Sequence, residues 1–406
     1  MLLKEMIPIL PNGIVFVSII LFTSSLLSFG WHVSHAYRRW IVCVFAFFSI
    51  SMLWALEKNL CRWVLILQML PIFIATITTY VFLTKTSHGI RKILWTYIIA
   101  SIILILFIII NLDQIEEGIR LGKQLNESVD NENQIINSNS IGMCLCFTIY
   151  AGYILFVKGN RKLLIKLSAF IVAAVILWLI LLTGSRKAFF MLVIPLIILP
   201  LFGKNRGWRK FIFPVTFGIV VVGYNLIMTI PALYDVLGRR IVDMQNILMG
   251  TTTGTEDISR MVLVEYGLEW FKDSPVLGHG INNFRVLSNQ TPMFMGMNFY
   301  AHNNYIELLV DVGIVGFIIY YSCYFYFWKR LKRNIVNNPL KAWIITLIVV
   351  RLFLDMAQVS YYSFMSNLIL CLCFYAVDFT RKGEVKNKII HNSKYETSRY
   401  NPALQH

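Results

Sequence analysis

The stretch AHNNYIELLVDVGIVG, residues 301–316, opens a long apolar segment that continues as GIVGFIIYYSCYFYF to residue 327. An apolar run of about 20 residues has the length that crosses a bilayer as a helix. This one nevertheless begins at His302, and it carries Glu307 and Asp311 four residues apart, on one face of that helix. Ionisable groups inside a bilayer are costly, so these three residues mark a place with a structural or chemical purpose.

The rest of the chain has the composition of a membrane protein. Of its 406 residues, 57% are hydrophobic and only 14% are charged, whereas soluble domains average about 25% charged residues. Backbone groups in lipid must be satisfied within the protein, so the apolar segments predict an all-α, polytopic bundle of about 11–12 transmembrane helices. We place eleven spans at 10–29, 40–56, 63–83, 93–112, 141–157, 167–183, 188–202, 211–229, 305–327, 341–359 and 361–379.

The net charge of +16 does not indicate a nucleic-acid partner, because the basic residues are concentrated in short loops between spans. This distribution is the orientation signal of a membrane protein. It places four segments in the cytoplasm: 158–166, 203–210, 328–341 and the basic tail at 381–406. Alternation of the spans then puts the loops 113–140 and 230–304 outside.

The short loop TGSRKAFF, residues 183–190, breaks this charge rule. It must lie outside if its neighbours lie inside, yet it contains Arg186 and Lys187. Contact with lipid headgroups is one explanation. The other is that these cations are held at the outer surface because an anion binds there.

The large loop 230–304 contains a predicted amphipathic helix at 258–271. Its apolar residues are Met261, Val264, Leu268 and Phe271, and its charged side carries Glu265, Glu269 and Lys272. Such a helix is typical of the membrane interface. We expect it to end before the sequence DSP at 273–275, because a proline disfavours helical backbone in the residue ahead of it.

Several charged residues converge on the predicted outer side. A neutral imidazole at His302 is suited to take a proton from a hydroxyl. Arg186 and Arg260 offer forked hydrogen bonds of the kind that grip a diphosphate. For Asp311, Arg351 and Asp355, deeper in the spans, the competing interpretation is that two helices pair their charges and hold the bundle together.

The motif His302-Asn303, followed by Gly313 and Gly316, resembles that of the O-antigen ligases and the related O-antigen and capsule polymerases. The GSR sequence at 184–186 and the segment ISRMVLVEYGLEWFKDSPVLGHGINNF at 258–284 are similar to two other motifs of that superfamily. The likeness covers about 170–380. For the two glycines, the structural interpretation is that small residues let another helix approach closely.

The resemblance implies a GT-C-like enzyme that moves a glycan from undecaprenyl diphosphate to an acceptor sugar hydroxyl at the outer face of the bacterial cytoplasmic membrane. It implies catalytic roles for His302, Arg186 and Arg260, and substrate contacts for Lys187, Asn303, Glu307 and Trp270. It implies an inverting, metal-independent glycosyltransferase with no cofactor. Its partners would be the lipid bilayer, the lipid-linked oligosaccharide, the acceptor glycan, and in the cell a flippase and a chain-length regulator.

Domain organisation follows the same division, with membrane spans at 1–165, the ligase-like and polymerase-like region at 166–380, and the tail at 381–406. We favour a polymerase of repeat units, because TGSRKAFF is closer to the capsule polymerases. The alternative is an O-antigen ligase, which attaches finished glycan to a lipid A core. A flippase for lipid-linked oligosaccharides would instead need charges along a path through the bilayer.

Overall fold

The computed structural model describes residues 33–86, 88–110, 138–157, 162–201, 206–248, 255–332 and 339–378. Within these ranges the protein is helical and contains no β-strand, which confirms the predicted all-α class. The helices are α1 (His35–Ile50), α2 (Lys58–Lys85), α3 (Gly89–Ile110), α4 (Ser138–Gly152), α5 (Leu163–Leu182), α6 (Arg186–Leu201), α7 (Arg206–Thr229), α8 (Arg239–Leu248), α9 (Thr255–Asp273), α10 (Phe284–Gln290), α11 (Asn304–Leu331), α12 (Pro339–Asp355) and α13 (Phe364–Asp378).

Six helices in the described part of the chain are long and apolar enough to cross a membrane, and a seventh span results if one bent pair is counted as a single span. That pair joins Val220–Thr229 to Tyr234–Asp243 through a bend of 105°. The predicted span 10–29, most of the loop 113–140 and the tail 381–406 lie outside the described residues. The protein is therefore a multi-pass membrane protein.

Two predicted spans end or begin inside their predicted bounds. Helix α12 ends at Asp355 where the span was predicted to reach residue 359, and α13 covers only Phe364–Asp378 of the span predicted at 361–379. The span predicted at 341–359 ends at Asp355, because the chain then turns through 356–363. There the Ser360 hydroxyl donates to Asp355 Oδ1 at 2.5 Å, and the Ser360 amide donates to Asn304 Oδ1 at 2.8 Å. The predicted spans place a break at residue 360, but the apolar sequence did not reveal that the turn begins at residue 356.

Helix α11 lies at the centre of the bundle. Its Tyr320 carbonyl accepts a 2.8 Å hydrogen bond from the Trp40 indole of α1, and its Phe327 ring lies 4.6 Å from that of Phe374 in α13. A Cβ on Gly316 would stand 2.8 Å from the Phe47 ring of α1. The helix-packing interpretation is therefore confirmed for Gly316.

Helix α9 contains the predicted amphipathic segment and ends at Asp273, one residue later than expected. The side that it turns toward the protein differs from the predicted apolar side. Leu263 is buried, Gly267 contacts Ile306 of α11, and Trp270 packs on Phe284. The predicted apolar residues Met261 and Leu268 remain exposed, as they would be in a helix that rests on lipid.

Candidate functional site

Helix α11 is interrupted at Gly313, near the level of the third turn. Gly313 has φ 60° and ψ −171°, which is not helical. Two regular helical hydrogen bonds, from the amides of Ile314 and Val315 to the carbonyls four residues earlier, cannot form across this kink. A break of this kind within a span must be compensated by other protein groups.

The segment 275–280 provides that compensation. The amides of Ile314 and Val315 donate to the carbonyls of Pro275 and Val276 at 2.9 and 3.3 Å. The freed carbonyls of Val310 and Asp311 accept from the amides of His279 and Gly280 at 2.9 and 2.7 Å. Two hydrogen bonds lost within the helix are thus replaced by four to the segment, which docks into the break.

Close approach of two backbones explains why glycine stands at Gly313 and Gly278. A Cβ on Gly313 would lie 2.3 Å from the Val276 carbonyl oxygen, and one on Gly278 would lie 2.5 Å from the Asp311 carbonyl. Both glycines also have positive φ, at 60° and 70°. The helix-packing interpretation was therefore wrong for Gly313, whose neighbour is a loop.

The Asp311 carboxylate fixes the rest of this segment. It is fully buried, and its two oxygens each accept a 2.7 Å hydrogen bond, from the amides of Asn282 and Phe284. Arg351 is paired with Asp355 within its own helix, not with the carboxylates of α11. It reaches α11 only through the Tyr320 hydroxyl, which accepts from Arg351 at 3.0 Å. The predicted ion pair between the two helices was thus wrong.

His302 lies in the turn that leads into α11. Its φ of 53° is in the left-handed region, which non-glycine residues rarely occupy and which is common at functional sites. Asn303 caps the helix, with Oδ1 accepting from the amides of Tyr305 and Ile306 at 3.0 and 3.3 Å. The buried Glu307 carboxylate accepts from the Ala301 amide at 2.6 Å. The turn is thus held on both sides of the histidine.

Three cations from separate helices act on the His302 imidazole: Lys187 of α6, Arg260 of α9 and Arg285 of α10. Burial lowers the pKa of His302 first, and the three positive charges lower it further, from 6.5 to about 3. The imidazole is therefore neutral at pH 7 while the site is free. A neutral imidazole among cations is an arrangement that can bind an anion and accept a proton.

The predicted site residues have distinct surroundings. The structure brings Lys187 and Arg260 to His302, and the Lys187 ammonium lies 3.5 Å from Gln358 Oε1 in the 356–363 turn. Arg186 begins α6 and donates to the Arg240 carbonyl at 3.2 Å, so it faces the first turn of α8. Trp270 stacks on Tyr266 and packs edge-on against Phe284. Substrate contacts for Trp270 and the other predicted residues stay predictions.

Sequence reasoning missed Arg285 and Tyr300. The Tyr300 ring lies 4.0 Å from that of His302, centroid to centroid, and the Arg285 guanidinium carbon lies 5.1 Å from the centre of the Tyr300 ring. The only signal available for Tyr300 was its place two residues before His302. Arg285 is brought to the site by the docking of the segment 275–284. The periodicity of the sequence does not predict this docking.

Residues 171–321 match the family described as O-antigen ligase. This region includes the GSR turn, α9 and His302, and its match supports the resemblance to the superfamily of O-antigen ligases and related polymerases. No curated protein matches the chain in a sequence search.

Proposed function

We propose that the protein is an oligosaccharide repeat-unit polymerase of a bacterial cytoplasmic membrane. In this proposal it transfers a glycan from undecaprenyl diphosphate to an acceptor sugar hydroxyl at the outer face, for capsule, O-antigen or exopolysaccharide synthesis. The observation that carries it is the neutral imidazole of His302 among Lys187, Arg260 and Arg285, in a region that matches the O-antigen ligase family.

His302 takes the role of the base. The imidazole accepts the proton of the acceptor hydroxyl while that oxygen bonds to the anomeric carbon and the bond from that carbon to the diphosphate oxygen breaks. One displacement inverts the anomeric centre. The cations that keep the free imidazole neutral also depress its basicity, and a bound diphosphate would offset their charge and raise the pKa of His302 again. The base would thus reach its working strength only with donor in place.

Arg260 and Lys187, together with Arg186, take the role of a diphosphate clamp. The leaving diphosphate gains negative charge during the displacement, so fixed cations stabilise the transition state more than the bound donor. Removing one such group typically costs about 10²–10³ in rate. Because side chains supply this charge, the proposed reaction requires no metal.

Complementation of a strain that lacks the protein tests the assignment. We expect His302→Ala, Arg186→Ala and Arg260→Ala to insert at wild-type levels, measured with a C-terminal fluorescent fusion, and to form no polymer. Lys272→Ala is the matched control, because Lys272 is an exposed cation on the same helix as Arg260. Normal polymer with His302→Ala would refute the assignment.

The product that accumulates in the strain without the protein separates the candidate functions. Single repeat units on undecaprenyl diphosphate are expected for a polymerase. Full-length chains that stay unattached would indicate the O-antigen ligase, the function for which the matching family is named. Lipid-linked units retained on the cytoplasmic side would indicate a flippase. A partner flippase and chain-length regulator remain part of the proposal for the polymerase.

A further inference from the structure

The Tyr300 ring contacts two groups of the site at once. Its centroid lies 4.0 Å from that of the His302 imidazole, with 40° between the ring planes. The Arg285 guanidinium carbon lies 5.1 Å from the same centroid, within the range of a cation–π contact. Arg285, Tyr300 and His302 therefore form a continuous stack.

Arg285 is itself fixed by acceptors from three different segments. Its Nε donates to Asn282 Oδ1 at 3.1 Å, one terminal nitrogen donates to the Asn298 carbonyl at 3.0 Å, and the other donates to the Tyr362 hydroxyl at 3.3 Å. A planar fork can make these three bonds together, whereas a lysine ammonium cannot reproduce their geometry. Asn282 is tied in turn to Asp311 of α11. Asn282 and Asp311 thus connect the stack to helix α11.

The backbone of His302 is held by its neighbours, but the orientation of its ring needs a separate constraint. Among the residues that the structure describes, none forms a hydrogen bond with the imidazole, and the Tyr300 ring is the aromatic group against it. Ring nitrogens that are open in this way are accessible to substrate, and only packing sets the direction in which they point.

We propose that Tyr300 and Arg285 are positioning residues for the base: Arg285 fixes the Tyr300 ring, and this ring holds the imidazole in the orientation that faces the acceptor hydroxyl. The inference rests on the proposed role of His302. A misplacement of about 1 Å in a reacting group costs about 10²-fold in rate, so loss of the ring lowers turnover without weakening the grip on the donor.

The test uses purified full-length protein with undecaprenyl-diphosphate oligosaccharide as donor. Tyr300→Leu removes the aromatic ring, and we expect kcat to fall about 100-fold while KM for the donor stays within about threefold. Tyr300→Phe is the matched control, because it retains the ring that contacts His302, and we expect its kcat within about threefold of wild type.

Arg285 is tested with two variants that separate charge from geometry. The charged groups that face His302 are Lys187, Arg260 and Arg285, while Glu307 lies under the turn that precedes the histidine. Arg285→Lys keeps the positive charge, so kcat falls while the acid limb of the kcat/KM pH profile stays in place. Arg285→Met removes the charge, so kcat falls and the acid limb moves to higher pH.

The outcomes distinguish this inference from the proposed function. If His302→Ala retains normal activity, the base assignment fails and this inference fails with it. If His302→Ala is inactive but Tyr300→Leu keeps wild-type kcat, only the positioning role is overturned. If Tyr300→Leu reduces the amount of folded protein, the two Arg285 variants provide the test. Wild-type kcat in Arg285→Lys, or no shift of the acid limb in Arg285→Met, would overturn the positioning role.

Discussion

Asp311 fixes the loop that docks into the broken helix, and its replacement has a cost that can be worked from the structure. The buried carboxylate accepts two backbone amides, of Asn282 and Phe284, each at 2.7 Å. A buried amide left without its acceptor costs about 1–3 kcal/mol. Asp311→Ala leaves two such amides, so we expect a loss of about 2–6 kcal/mol. Asp311→Asn keeps one acceptor oxygen and loses about half of that.

The assay is thermal unfolding of the purified protein in detergent, followed by limited proteolysis of the 274–284 segment. We expect the apparent melting temperature to fall in the order wild type, Asp311→Asn, Asp311→Ala, with earlier cleavage in the segment. Asp273→Asn is the control, because Asp273 is exposed at the end of α9. Equal melting temperatures for Asp311→Ala and wild type would refute the reasoning that this carboxylate holds the loop.

Three further predictions concern the backbone and the titration of the site. Gly313→Ala should lower the melting temperature more than Gly296→Ala, because both glycines have positive φ but only Gly313 has backbone within contact distance, at 2.3 Å from Val276; equal effects would contradict the docking account. His302→Gly should be more stable than His302→Ala, by about 1 kcal/mol, because only glycine adopts a φ of 53° without strain; the reverse order in thermal unfolding would count against that strain. Since the pKa of His302 is lowered from 6.5 to about 3, the unfolded chain binds an additional proton between these values, and stability is lost as the pH falls through that window. His302→Gln should therefore lose less stability than wild type between about pH 6.5 and pH 4, and parallel pH curves would show that His302 does not contribute.

The sequence was sufficient for the fold class and for part of the site. Hydrophobic segment length predicts the spans, and the helix predicted over 258–271 lies within the observed Thr255–Asp273. His302 and Lys187 were singled out as charged or titratable residues at span ends, and Arg260 by its place on the predicted outer side and by the family resemblance. The structure does bring these three together.

Features that depend on long-range docking could not be predicted from the sequence. The break at Gly313 is a property of two segments, since the amides and carbonyls of α11 find partners around 275–280. Helical periodicity alone led us to assign Gly313 to packing between helices. A break at residue 360 was predicted, but the extent of the turn at 356–363 was missed for a similar reason. Its apolar residues continue the preceding span, and only the contacts of Ser360 with Asp355 and Asn304 show where the helix ends.

The side of α9 that packs on the protein is not its predicted apolar side, for a local reason. Apolar residues lie on more than one side of that helix, and hydropathy alone favours the side with Met261 and Leu268. The side that packs on α11 contains Gly267, which has no apolar side chain to count but allows Ile306 and Phe284 to approach. Close approach at glycine therefore determined the interface, and periodicity did not reveal it.

The most direct test of the account is glycan transfer by the purified protein from undecaprenyl-diphosphate oligosaccharide, comparing wild type with His302→Ala. General base catalysis contributes about 10²–10⁴ in rate. We therefore predict that His302→Ala binds the donor with a Kd within about threefold of wild type, because the cations remain, and extends glycan at least about 100-fold more slowly. Glycan extension by His302→Ala at the wild-type rate would contradict the assignment of His302 as the base.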